Sequence, residues 1–266
     1  GSYAISGLAV TFPLMNISTA LGTLVGVGAS TILSMLLGQR NYQAANKVII
    51  NEVMLNVIIG TLYTVITLVF LDPILMFFGA SANTLPYARD YMVIILIGNV
   101  ITHLYFGLNN IIRASGNPKL AMALTIFTVV SNTILDPIFI FWLDMGIKGA
   151  ALATVICQML ALVYTVRYFL SGKNYLRLPR RMSEYRLDWR IAKDSLTIGM
   201  GPFLMNSAAC IVTMFINQQL SKYGGDLAIG AYGIVNRFTF LFIMVNMGLN
   251  QGMQPIAGYN YGAQQI

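Results

Sequence analysis

Apolar runs long enough to cross a bilayer restrict this chain more than any other feature. Residues 120–143, 150–170 and 196–220 each reach the roughly 20 residues a helix needs to span about 30 Å of hydrocarbon. Residues 48–71 and 86–108 form similar runs. Two longer ones, 4–37 and 227–256, exceed one bilayer thickness and read as helices that tilt or project into water. Strands of a membrane barrel would alternate apolar and polar residues over about ten positions. Residues 58–71 are instead apolar almost throughout. The expected fold is therefore an all-α integral membrane protein with seven transmembrane helices in this chain. Its 57% hydrophobic and 9% charged residues agree, since a soluble domain carries about 25% charged residues.

The charges sort by connection. Loops 38–51, 109–119 and 167–193 hold Arg40, Lys47, Arg113, Lys119, Arg167, Lys173, Arg177, Arg180, Arg181, Arg186, Arg190 and Lys193. The alternate loops hold only Arg89, Lys148 and Lys222. By the positive-inside rule the first set lies in the cytoplasm, and the expected location is the cell's inner membrane, multi-pass. The net charge of +7 is then mostly an orientation signal, and no recognition motif supports nucleic-acid binding. Cys157 and Cys210 lie within apolar runs, where they read as small buried hydrophobes.

A polar, Arg-rich stretch from 171 to 194 separates five spans from two. It reads as a cytoplasmic connector with a short amphipathic helix around residues 185–193, where Leu187 and Ile191 share a face. Shifting the chain by 224 residues lays Ala4-Ile5 on Ala228-Ile229, Gly28 on Gly252, Ile32 on Ile256 and Gly38 on Gly262. Such a duplication, six spans apart, relates two halves by an axis along the membrane normal. It implies a complete protein of about 450 residues and twelve spans, with the first helix and the last four outside this chain.

One run carries chemistry. Asn132 and Asp136 are four residues apart and stack on one helix face, and Pro137 frees the carbonyl of Thr133 from the helix ladder. A carboxylate at this depth costs several kcal/mol by about any scale, so something holds it or titrates it. Thr154 is as far beyond the turn near residue 145 as Asp136 is before it, so antiparallel helices bring the two to one depth. This all-oxygen set suits a hard cation such as sodium. It equally suits a carboxylate that exchanges a proton, and the bland alternative is an acid that merely fixes packing.

Asn-Thr-Ile-Leu-Asp-Pro-Ile-Phe-Ile-Phe (132–141), Ile-Ile-Arg-Ala-Ser-Gly-Asn-Pro-Lys (111–119) and Gln-Pro-Ile-Ala-Gly-Tyr-Asn-Tyr-Gly-Ala (254–263) together resemble the multidrug and toxic compound extrusion (MATE) transporters. The likeness is strongest to the bacterial DinF-like and MepA-like branch. It implies a MATE-like fold of two six-helix lobes, of which this chain holds helices 2 to 8. Residues 1–170 would belong to the amino-terminal lobe, 171–194 to the inter-lobe connector and 195–266 to the start of the carboxy-terminal lobe. The resemblance further implies efflux of cationic amphipathic compounds by antiport against protons or sodium. The family's coupling-site motif falls here on Asn132, Asp136 and Thr154, and the family completes that site with an acid on the first helix, which this chain does not contain. Its NorM-like branch carries acids in the carboxy-terminal lobe instead, and residues 196–220 have none.

Arg237, Asn236, Asn206, Met205 and Gln251 are the candidates for lining a cavity between lobes. His103, near Asn99, reads either as a proton relay or as a hydrogen-bonded core residue. A flippase for a lipid-linked precursor is the neighbouring alternative, although an anionic headgroup would want several basic residues within the spans and only Arg237 is visible. Metal-hydrolase and nucleophile-elbow motifs are absent, so the chain reads as no enzyme. The expected partners are drug-like cations and the lipid bilayer, with no cofactor beyond a transported proton or sodium ion and a monomeric state when complete.

Overall fold

The structure, a computed structural model, describes residues 2–171, 175–179 and 181–265; the side chains of residues 2–6, Met182 and many between 210 and 237 lie outside that description. Its helices are α1 (Ser2–Gly38), α2 (Tyr42–Val69), α3 (Leu71–Phe77), α4 (Leu85–Ala114), α5 (Pro118–Pro137), α6 (Ile147–Leu170) and α7 (Trp189–Gly262). Among the described residues, Gly7–Gly38, Tyr42–Val69, Leu85–Ala114, Pro118–Trp142 and Ile147–Leu170 are long and apolar enough to cross a membrane.

Short, capped connections make successive helices antiparallel neighbours. Asn41 caps α2 by accepting the Ala44 N–H at 3.1 Å, and the turn before it places Arg40 at φ 56. Asn117 caps α5 by accepting the Leu120 N–H at 3.4 Å. Just ahead of it Gly116 takes φ 88, a left-handed conformation that glycine adopts freely. The outward faces stay apolar: Ile58, Leu62, Val65, Ile66 and Val69 of α2 are all exposed. A helical stripe of this kind would be a liability in water and is normal against lipid.

Among the described residues, the two larger apolar clusters sit at opposite ends of the bundle. Leu14, Leu71, Leu75, Tyr91, Met92 and Leu96 build one. Leu33, Val48, Ile49, Leu108, Ile111, Ile112 and Phe169 anchor the other. Between them, α1, α2 and α4 meet through a buried polar layer that includes Glu52, Asn56, Asn99 and His103.

Helix α7 is helical over 74 residues, yet it is not a straight rod. Its carbonyl at Ser195 would sit 1.8 Å from a Cβ placed on Gly28, while Gln254 donates to the Val27 carbonyl at 3.4 Å. A straight helix would hold those two residues about 90 Å apart. Gly199 lies on the Leu24 carbonyl and Gly258 on Ser34, so the first end of α7 runs antiparallel to α1 and the last end parallel to it. The path therefore reverses between Gly199 and Gln254.

The parallel arm also meets α1 reciprocally. A Cβ on Gly38 would lie 2.1 Å from the Tyr259 carbonyl, and one on Gly262 would lie 2.0 Å from the Met35 carbonyl. Residues 35 and 38 become 259 and 262 under the 224-residue shift, and Ser34 becomes Gly258, its own neighbour. Paired contacts of this kind are the signature of a two-fold axis.

The connector departs from expectation. No separate helix covers 185–193: a single 3-10 turn, Met182–Glu184, is followed by irregular chain up to Asp188, which caps α7 by accepting the Arg190 N–H at 3.1 Å. Leu187 precedes that cap, so it shares no helix with Ile191. The spacing misled because residues 185–188 are tied down by other means. Asn51 accepts the Asp188 N–H at 2.9 Å, Asn46 accepts the Arg177 N–H at 2.7 Å, and Tyr175 stacks on Tyr42. Buried Leu176 and Leu178 complete the strap.

Candidate functional site

Helix α5 ends where Pro137 removes a backbone donor. The chain then loosens into one π-helical turn, Ile138–Trp142, closed by the Leu143 N–H on the Ile138 carbonyl at 3.0 Å. Asp144 and Gly146 reverse it with φ values of 51 and 56. Gly149 then lets α6 pass close to the π turn, since a Cβ there would lie 2.7 Å from the Phe139 carbonyl. This tight hairpin sets the register of α5 against α6.

The register brings the three expected residues together. Asn132 Nδ2 donates to Asp136 Oδ1 at 3.1 Å and reaches Thr154 Oγ1 at 3.2 Å. The Thr154 hydroxyl hydrogen goes to the Ala150 carbonyl at 3.0 Å, so its oxygen is free to accept from Asn132. The amide is thus pinned between carboxylate and hydroxyl. Among the described residues the two ion pairs, Arg89 with Asp72 at 3.5 Å and Lys148 with Asp90 at 3.2 Å, leave Asp136 aside. An acid with one amide donor and no cationic partner can take up a proton or bind a hard cation beside the amide and hydroxyl oxygens.

Tyr91 of α4 and Cys157 of α6 lie within Coulombic range of Asp136. Tyr91 is buried, with its hydroxyl 3.9 Å from Met15 Sδ. Sequence reasoning passed over it because a tyrosine inside an apolar run carries no pattern of its own.

The cavity-lining candidates fare differently. Gln251 accepts from the Arg113 guanidinium at the far end of α4. Gly252, its neighbour, helps line a cavity of about 560 Å³ with Arg113, Tyr42, Tyr175 and Tyr259. That cavity adjoins Pro118, a full helix length from Asp136. Met205 is exposed and Asn206 half-buried, and the side chains of Asn236 and Arg237 lie outside the described residues. A Cβ on Gly22 or Gly26 would face His103 or Asn110, whereas one on Gly248 or Gly252 would meet no described residue within 4 Å.

A family model, MatE, matches residues 1–138 and 201–266. The multidrug export protein MepA of Staphylococcus haemolyticus (strain JCSC1435) is 34% identical over 260 residues, covering 98% of this chain and 57% of the relative. MepA of Staphylococcus aureus (strain MSSA476) is 31% identical over 264 residues, covering 99% and 58%. The chain thus spans less than two thirds of these relatives' length. A MATE crystallised in complex with MaD3S superposes with a TM-score of 0.93 at 25% identity, over 100% of this chain and 60% of that one. A MOP superfamily transporter from Pyrococcus furiosus superposes with a TM-score of 0.92 at 25% identity, over 100% and 58%.

Proposed function

The chain belongs to the MatE family, and on that premise we propose that it forms the amino-terminal lobe and the start of the carboxy-terminal lobe of a secondary-active exporter of cationic, amphipathic compounds. Residues 1–170 make the first lobe, 171–194 the connector and 195–266 the beginning of the second. The basic loops face the cytoplasm of a cell whose inner membrane holds the protein as a monomer. Asp136 is the coupling acid, with Asn132 and Thr154 as its partners. The observation that carries this reading is the Asn132 amide held between Asp136 and Thr154.

A proton or sodium ion entering from outside neutralises Asp136. Holding a carboxylate in an apolar span costs several kcal/mol by about any scale. Reversing a 1:99 conformational population takes about 5.5 kcal/mol. Filling one acid site is therefore of the right size to favour one packing of the lobe over another. Differential occupancy between two states is what couples the ion to the drug, and rocking of the lobes about their shared axis alternates access.

The test is ethidium efflux from vesicles containing the intact transporter, driven by an imposed proton or sodium gradient. Asp136→Asn is expected to abolish gradient-driven efflux while the protein still folds, and Asp136→Glu to retain part of it. Undiminished efflux by Asp136→Asn removes the assignment. Lipid translocation in the same vesicles without ethidium efflux would replace it with a flippase.

A further inference from the structure

Away from Asp136, α1, α2 and α4 enclose a second cluster of titratable groups. Glu52 and Asn56 are 0% exposed, and Asn99 and His103 are 2% exposed. The helices interlock here because glycines face polar side chains. Gly60 of α2 lies against His103, its added Cβ 3.6 Å from the imidazole, and Gly107 of α4 lies directly over Glu52 and Asn56. Gly22 of α1 faces the imidazole on another side, at 3.9 Å from Nδ1. Glu52, Asn56 and His103 are thereby stacked within about one to two helical turns along the α2–α4 seam.

Counting hydrogens exposes a deficit. Asn99 Nδ2 donates to the Gly60 carbonyl at 3.2 Å, which turns its Oδ1 toward Ser18. The Ser18 hydroxyl gives its single hydrogen to that oxygen at 2.6 Å. The 3.0 Å contact between Ser18 Oγ and His103 Nε2 then requires the hydrogen on Nε2, so neutral His103 presents a bare lone pair at Nδ1. Asn56 Nδ2 donates to both Glu52 Oε1 and the Glu52 carbonyl. Glu52 Oε2, Asn56 Oδ1 and His103 Nδ1 are left buried without partners. All three are acceptors, in a place where nearly every buried polar atom is paired.

Among the described residues no charged group pairs with them. From α4 the only titratable groups on this seam are His103 and, beyond Asn110, Arg113, which is taken up by Asn109, Asn110 and Gln251. Helix α1 offers Ser18, Gly22 and Gly26. The amino end of α7 lays Ala192 and Leu196 against Val25 and Leu55, with Lys193 and Asp194 exposed. On α2 itself Lys47 is exposed.

We propose that Glu52 and Asn56 form a second proton site, in which one exchangeable proton on Glu52 Oε2 is offered to Asn56 Oδ1, the amide already joined to the same carboxyl through its Nδ2. One added hydrogen on Oε2 removes the buried negative charge and supplies the donor that Asn56 Oδ1 lacks. The proposal goes beyond the Asp136 reading and does not depend on it.

The test is infrared spectroscopy of the intact transporter in lipid vesicles at neutral pH, carrying Asp136→Asn so that this acid is silent. The expected result is a protonated-carboxyl carbonyl band that Glu52→Gln removes, that shifts in heavy water and that Asn56→Ser displaces. Isotope-labelled glutamate identifies the band in unsubstituted protein should Glu52→Gln fail to fold. Absence of a glutamate band at neutral pH overturns the proposal. So does a band that ignores heavy water or Asn56→Ser, which would mark a sealed structural acid, and so does loss of the band on adding sodium or potassium, which would mark a cation site. Asp136→Asn silencing export with this band intact supports both readings separately; normal export with the band intact refutes only the first.

Discussion

Gly107→Ala tests how tightly α2 and α4 are keyed together. A Cβ at this position would sit 1.5 Å from Glu52 Oε1 and 2.5 Å from Asn56 Nδ2, and neither side chain has exposed space to retreat into, since both are fully buried. Overpacking of a filled core costs about 1–3 kcal/mol. Separating Glu52 from Asn56 adds about 0.5–1.5 kcal/mol for a lost internal hydrogen bond. The expected destabilisation of the intact protein is therefore about 2–4 kcal/mol. It is read from unfolding in mixed detergent micelles, with helicity as the signal. Because the obstacle is the Glu52 carboxylate itself, Gly107→Ala combined with Glu52→Ala should cost less than the two changes summed, by about 1 kcal/mol or more, as contacting residues do. A single substitution within about 0.5 kcal/mol of the original protein, or strictly additive costs, would falsify the packing described for this seam.

The reversal of α7 is checked by disulfide cross-linking: Val25→Cys with Ala192→Cys, which share one buried cluster, and Ser34→Cys with Gly258→Cys should both close in one molecule, whereas a straight helix permits only one of them. Thr154→Val should weaken coupled efflux about 2- to 10-fold, the worth of one neutral hydrogen bond, and Thr154→Ser should restore it; equal efflux by both variants would separate the hydroxyl from the site. Asn46→Ala should free the connector, because Asn46 holds both the Tyr175 carbonyl and the Arg177 N–H. Protease cleavage between residues 175 and 188 should then rise about tenfold, in line with the local opening energy lost; an unchanged rate would mean the strap is held elsewhere.

Much of this was legible before any coordinates because a bilayer turns length into structure. Runs of about 20 apolar residues had to be helices, and an acid followed by proline in such a run had to be held or used. The turn near residue 145 fixed Asp136 against Thr154 by counting alone, and the hairpin built from the π turn and Gly149 keeps that register. The connector was misread because Leu187 and Ile191 mimic a helical face, while the deciding contact, Asn51 to the Asp188 N–H, joins residues far apart in sequence. Glu52 was passed over for a related reason. It follows a polar segment, so its pattern is that of a helix end facing water, and only the approach of Gly107 and Gly60 encloses it. The five identities that suggested duplication were weak by themselves. Their physical content appeared when Gly38 and Gly262 were found to pack on each other's helices at equivalent carbonyls.

The central claim is that Asp136 carries the ion that exchanges for drug. Its most direct measurement is the counter-flux itself: in vesicles containing the intact transporter and loaded with ethidium, drug movement down its gradient should drive protons or sodium the opposite way. With Asp136→Asn that ion flux should vanish while ethidium still binds. Ion flux through Asp136→Asn at the original rate would contradict the account.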